Sequence, residues 1–146
     1  MPNLQFHLAT ETDLDLLAQW NLQLIRDEGS RNPMTIPQLR DRMQNWLAGE
    51  YHAVIFTADS QPVAYALYRE NEKEIYLRQL FVSPNRRRQG IGHQAVNLLR
   101  SQLWPKNKRL TVEVLTNNTP AVDFWRAIGY RDYSLTLEIT PPAPKE

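Results

Sequence analysis

The chain has 146 residues, enough for one ordinary domain with one core and one principal site. Hydrophobic residues make up 42% and charged residues 23%, and no run approaches the roughly 18 apolar residues of a membrane span. Cysteine is absent, which excludes disulfides, thiolate zinc sites and cysteine nucleophiles, and a formal net charge of +1 argues against a dedicated nucleic-acid binder.

The start, Met1-Pro2-Asn3-Leu4-Gln5, lacks the basic end and apolar stretch of a secretory signal, so a cytoplasmic protein is expected. Residues 4 to 9 alternate as a strand does, and Thr10 with Asp13 three residues on reads as the start of a helix running to about Asp27. Gly29 and Pro33 mark a loop before a second helix near 37 to 48. Two β-rich runs, 51 to 58 and 62 to 69, are joined by the turn residues Asp59-Ser60-Gln61, and a third run, 74 to 82, extends the sheet until Pro84 stops it. A helix from about Gly90 to Trp104 and a strand over 109 to 115 follow. The last helix has Thr119 as its expected N-cap, Pro120 at its first position and Gly129 just past Ile128. Residues 133 to 139 alternate as a closing strand able to complete a partner's sheet, which favours a homodimer. One domain over 1–140 and a loose Pro-rich tail over 141–146 complete the organisation.

Chemistry concentrates in Arg86-Arg87-Arg88-Gln89-Gly90-Ile91-Gly92. A loop between a strand end and a helix start leaves backbone amides free to point at one spot, and such a spot attracts anions. Gly90 and Gly92 allow close approach of the backbone, the helix dipole adds roughly half a positive charge, and the arginines supply charge for further phosphates. A pyrophosphate with an extra phosphate fits this description, and coenzyme A carries both. His93 and Gln94 after Gly92 fail the P-loop pattern. Gly90-Ile91-Gly92-His93-Gln94-Ala95 does satisfy the dinucleotide fingerprint, with Glu113 about twenty residues on. Against that stand the gap between strand and glycines, the three arginines and the short remaining chain. The bland alternative is a glycine-capped loop with solvated arginines.

With these residues in view, the sequence resembles the GNAT superfamily of N-acetyltransferases, whose signature Q/R-x-x-G-x-G/A is met by Arg87-Arg88-Gln89-Gly90-Ile91-Gly92. Tyr76 to Pro84 looks like the family's fourth strand, and Asn118-x-x-Ala121-x-x-Phe124-Trp125-x-x-x-Gly129-Tyr130 looks like the region leading from its fifth strand into the next helix. The resemblance implies an α/β (α+β) fold: a mixed, mostly antiparallel central sheet flanked by helices, with the fourth and fifth strands splayed into a wedge for acetyl-coenzyme A. It implies that backbone near Leu80, Phe81 and Val82 pairs with the pantetheine arm. Amides from Arg88 through His93 would hold the pyrophosphate, one of Arg86, Arg87 and Arg88 the outer phosphate, and Asn118 the pantetheine. The implied reaction moves the acetyl group to a small-molecule or peptide amine, without metal, nucleic acid or membrane. The alternative is a catalytically silent coenzyme-binding module.

Direct attack needs a neutral amine. An alkyl amine of pKa near 10.4 costs about 4.6 kcal/mol to neutralise at pH 7, whereas an α-amine costs about 1 kcal/mol. Simple alternation along the third β run puts Ile75, Leu77, Gln79 and Phe81 on one face, and Glu74, Tyr76, Arg78, Leu80 and Val82 on the other. We therefore expect Glu74, Tyr76 and Arg78 to face the acceptor, with Glu74 as the candidate base and Glu28 as a weaker candidate for gripping a cationic substrate. Many relatives carry tyrosine where this chain has Trp125. An indole N–H has no accessible proton to give, so either Tyr130 or Tyr133 serves the departing thiolate, or it leaves unassisted.

Overall fold

The apolar alternation in the middle of the chain folds into an antiparallel meander. In a computed structural model, which describes residues 3–144, its strands are β2 (Tyr51–Ala58), β3 (Gln61–Glu70) and β4 (Glu74–Val82). Asp59 and Ser60, with φ of 53° and 64°, form the first turn; Gln61 already belongs to β3. At the outer side of β2, β1 (Gln5–Leu8) pairs antiparallel, and beyond β4 the short β5 (Arg109–Val112) pairs parallel, giving one sheet in sequence order. One face is covered by α1 (Leu14–Asp27) and α2 (Ile36–Ala48), the other by α3 (Ile91–Leu98), which runs on through a π-helical turn over Leu99–Leu103.

Polar residues fix the helix starts. The Thr10 amide donates to the Asp13 carboxylate at 2.9 Å, and Thr35 and Gln38 cap each other's amides at 2.9 and 3.4 Å. The last helix, α4 (Thr119–Ile128), is capped one residue earlier than expected: Asn118, not Thr119, accepts from the Ala121 amide.

Alternation along β4 breaks at one point. Leu67 on β3 faces Gln79 and Tyr68 faces Leu77, so Arg78 is an extra residue with no β3 partner, a β-bulge. The bulge swaps the faces. Ile75, Leu77, Leu80 and Val82 all pack on the α3 side, whereas Phe81 packs on the α1 and α2 side with Tyr65 and Leu67. The expected grouping of Ile75 and Leu77 with Gln79 and Phe81 is therefore incorrect: one inserted residue reverses every side chain beyond it.

β4 and β5 stay paired only from Glu74 opposite Arg109 to Leu77 opposite Val112. Beyond these residues the strands part, and this is why β5 stops at Val112 and not at 115. The closing strand expected over 133–139 is not formed. Alternation identifies side chains that can share a face but does not supply a partner. Tyr133, Leu135, Leu137 and Ile139 are 84%, 65%, 84% and 100% exposed, while Glu138 accepts a fork from Arg31 at 3.0 Å and Tyr133 lies under Arg109. Residues 141–144 have no regular structure, and 145 and 146 lie outside the described residues. Among the described residues no helix is long and apolar enough to cross a membrane.

Candidate active site

Where β4 loses β5, a cavity of about 310 Å³ opens between the end of α1, the last residues of β4 and the face of α4. Leu80, Phe81, Val82, Gly92, Phe124 and Trp125 line it, with Asp27 and Arg87 at its edge. The following loop makes one 3-10 turn over Pro84–Arg86 and then curls through two left-handed residues, Arg88 at φ 65° and Gly90 at φ 78°. Gly90 serves as N-cap of α3 and has no side chain to offer, and the first helical bond runs from the Gln94 amide to the Gly90 carbonyl. The amides of Ile91, Gly92 and His93 thus precede any intrahelical partner, the arrangement that receives an anion. At Gly92 a Cβ would lie 3.1 Å from the Phe124 ring, so the bare backbone is what lets α4 approach.

Of the three loop arginines, Arg87 has the most defined position. Its Nε donates to the Val82 carbonyl at 2.9 Å, its Nη2 to Asp27 at 2.6 Å, and its guanidinium lies 5.3 Å from the Phe81 ring centre. It therefore spans the cavity mouth. Arg86 reaches only Gln89, at 3.2 Å.

On the α2 side of the bulge the expected acceptor residues meet a cluster of aromatic and charged groups. Arg78 lies 4.7 Å from the Trp46 ring centre and donates to the Tyr51 hydroxyl at 3.3 Å. Arg42 lies 4.3 Å from the same indole and donates to Asn21 at 3.1 Å. Burial first, and then the neighbouring Arg78, hold the Arg42 guanidinium below its ordinary pKa. Tyr76 is raised, mainly by burial and then by Glu113 against its hydroxyl. Tyr65 donates to Gln79 at 2.8 Å; its hydroxyl is raised first by full burial and then by Glu28. Glu28, half-buried where α1 ends, is itself raised by burial and by Asp27. Tyr76, Arg78 and Glu28 are thus brought to one side of the sheet.

Glu74, two residues before Tyr76 on β4, pairs with Arg109. It sits in the paired half of β4, 2.8 Å from Arg109, beside a shallow hollow of about 540 Å³ whose walls include Asn71 and Lys73. Tyr130 is absent from the cavity lining. Its ring packs edge-on against Trp125 at 5.3 Å, its buried hydroxyl has no hydrogen-bond partner among the described residues, and burial pushes its pKa up to about 12. Asn118 stands at the mouth of α4 and spends its carbonyl on the cap. No group of three metal-ligating side chains occurs among the described residues. Tyr51, Tyr65 and Gln79 went unnoticed in the sequence as site residues, because their contacts, Tyr51 with Arg78 and Tyr65 with Gln79, join separate strands.

The sheet is mixed, and its parallel pair splays beside a glycine-opened helix start that has no side-chain cap. The acetyltransferase (GNAT) family pattern matches residues 17–130, and the chain belongs to that family and is an acyltransferase. No curated protein matches its sequence. Among solved structures it is similar to a possible acetyltransferase from Clostridium difficile 630, at 15% identity over 96% of this chain and 98% of that one, TM-score 0.80. It is similar also to an aminoglycoside N-acetyltransferase, AAC(6')-Iy, in complex with CoA, at 14% identity over 98% and 97%, TM-score 0.76. A third, a predicted acetyltransferase with acetyl-CoA from Clostridium acetobutylicum, has 18% identity over 94% and 96%, TM-score 0.72. At these identities the likeness is one of fold.

An unpaired buried hydroxyl costs about 1–3 kcal/mol. Tyr130→Phe is therefore expected to melt at the same temperature as the parent or higher, and to turn over within twofold of it. A lowered melting temperature by calorimetry would show that the hydroxyl has a partner.

Proposed function

We propose that the enzyme transfers the acetyl group of acetyl-coenzyme A to a primary amine by direct attack. The observation that carries this is the coincidence, at one cavity, of the unpaired end of β4 with the uncapped start of α3. The residues present fit the coenzyme. Leu80, Phe81 and Val82 lie past the last β5 pair, so their open edge suits an amide-bearing arm added as a strand would be, with the Val82 carbonyl exchanging its Arg87 donor for the arm. Amides from Arg88 and Gln89 through Gly90, Ile91, Gly92 and His93 suit its pyrophosphate. Asn118 and Trp125 border the arm, and Arg87, released from Asp27, suits the outer phosphate.

In the transfer step the amine nitrogen forms a bond to the thioester carbon, the carbon–sulfur bond breaks, and the sulfur leaves as thiolate. Arg78, which has no register partner on β3 or β5, offers its backbone N–H to the carbonyl oxygen as charge builds there. Tyr76 and Arg78 wall the acceptor side. We assign the ammonium and its proton to Glu28, whose raised pKa makes it a better base than an ordinary carboxylate. Glu74 is left to hold Arg109, and Tyr130 to brace Trp125. The thiolate takes its proton from water, which a thiol of pKa near 8.5 tolerates. We place the enzyme in the cytoplasm and treat 1–140 as its one domain.

We further infer a homodimer in which residues 133–139 complete the sheet of a second copy, since their apolar face has no cover within the chain.

In Gly92→Asp the new side chain meets Phe124 and the proposed pyrophosphate together. Coenzyme A affinity by titration calorimetry should fall at least tenfold, about 1.4 kcal/mol, with the circular dichroism spectrum retained. Unaltered affinity would overturn the coenzyme assignment. For Glu28, the protonated form cannot accept a proton, so kcat/KM should rise with pH through a value above the ordinary 4.5. In Glu28→Gln that limb should be missing and the rate at least tenfold lower; an identical profile removes Glu28 from the reaction. Leu137→Glu should convert a dimer to a monomer by sedimentation, and a monomeric parent would sink the pairing.

A further inference from the structure

Most charges that bridge elements of this fold are neutralised. Arg40, Arg87 and Arg109 each hold a carboxylate, at 2.7, 2.6 and 2.8 Å. Arg42, Arg78 and Glu28 are exceptions: none of them forms an ion pair among the described residues. Yet Arg42 and Glu28 are both half-buried, and a charge taken out of water without a partner is costly. Nor do they neutralise each other. Both act on the Tyr65 hydroxyl in opposite directions, but no ion pair joins them among the described residues.

The arginine side is also short of hydrogen-bond acceptors. Among the described residues, the Arg42 Nε is buried without a partner, as is the Nδ2 of Asn21, which is 0% exposed. Arg42 and Arg78 lie over one indole, Trp46, at 4.3 and 4.7 Å, so two guanidinium groups are presented together on an aromatic floor. Stacking holds their planes while leaving their N–H edges for a ligand. A carboxylate matches that need, because it is planar, accepts a fork of N–H groups and brings the missing negative charge.

We propose that the acceptor is an amine that also carries a carboxylate, an amino acid or short peptide, with its carboxylate bound by Arg42 and Arg78 and its ammonium by Glu28. This rests on the transfer reading above and names the substrate class for the same site. It also separates the chain from its aminoglycoside-acetylating structural neighbour. A polycation would meet Arg42 and Arg78 on that side, and like charges there oppose it.

The test follows coenzyme A release from acetyl-coenzyme A by the full chain across a matched panel. The panel contains amino acids and dipeptides with free carboxylates, the same compounds as C-terminal amides, phosphoethanolamine, and an aminoglycoside. Free acids are expected to exceed their amides at least tenfold in kcat/KM, chiefly through KM. Arg42→Gln should erase that preference, with coenzyme A affinity unchanged by calorimetry. Because Arg42 touches a buried asparagine, the exposed Arg78→Gln serves as the second variant, with at least a threefold loss of preference expected. Equal rates for acids and amides, or a preference for phosphoethanolamine or the aminoglycoside, would overturn the proposal while leaving the transfer reading intact. Coenzyme binding with no amine acetylated would overturn both.

Discussion

A strand that loses its neighbour part-way along its length leaves a row of N–H and C=O groups that must find other partners, and in this fold that strand is β4. At Arg78 it loses two partners at once: the bulge removes its contact with β3, and the divergence of β5 removes the other. The rest of the site is built around that residue. The bulge turns Leu80 and Val82 towards the α3 side, where they join the core and line the cavity, and leaves Phe81 against Trp20 and Tyr65 on the opposite face. A flat, regular β4 would place Leu80 and Val82 on the α2 side and close the cavity floor.

The same bulge determines the electrostatics. Arg78 emerges beside Trp46, where Arg42 already lies, so two positive charges share one aromatic surface. In an effective dielectric of about 20 such neighbours repel, but less than they would in a dry interior. Asn21 supplies one acceptor to Arg42 and cannot cancel its charge. Burial first, and then Arg78, hold the Arg42 guanidinium below its ordinary pKa. Glu28 shows the opposite shift on the other flank of Tyr65, its carboxyl raised by burial and by Asp27. Two groups whose folded environments disfavour their own charge, one of each sign, mark a place where a ligand of opposite polarity improves both.

Much of the fold could be read in the residues because its devices are local. The cap at Thr10, the Asp59-Ser60 turn and the stop at Pro84 act within a few residues. The loop from Arg86 to Gly92 was likewise legible, since glycine and arginine at a strand-to-helix junction carry their own chemistry. Non-local features did not show. The bulge exists only as a mismatch of register between Leu67 and Tyr68 on one strand and Gln79 and Leu77 on the other. No pattern within β4 alone reveals it, and the predicted faces beyond Arg78 were accordingly reversed. The alternation over 133–139 was real, but a strand also needs a partner. Glu74 looked like a base from its face, although its position opposite Arg109 depends on the parallel pairing with β5.

Packing also explains why two separate stretches of sequence both matter to one cavity. The side chain that Gly92 lacks is replaced by the ring of Phe124, which would stand 3.1 Å from a Cβ there. That ring contacts His93 at 5.0 Å and Trp125 at 4.9 Å, and Trp125 in turn meets Tyr130 at 5.3 Å. The glycine of α3 and the aromatic pair of α4 are therefore two halves of one contact. An aromatic ring at 125 is required by its neighbours on both sides, whether or not it has a proton to give. Trp125 satisfies that packing with its indole, edge-on to both rings. Assigning that proton to water, and the acceptor's proton to Glu28, keeps the transfer consistent with an indole in the wall.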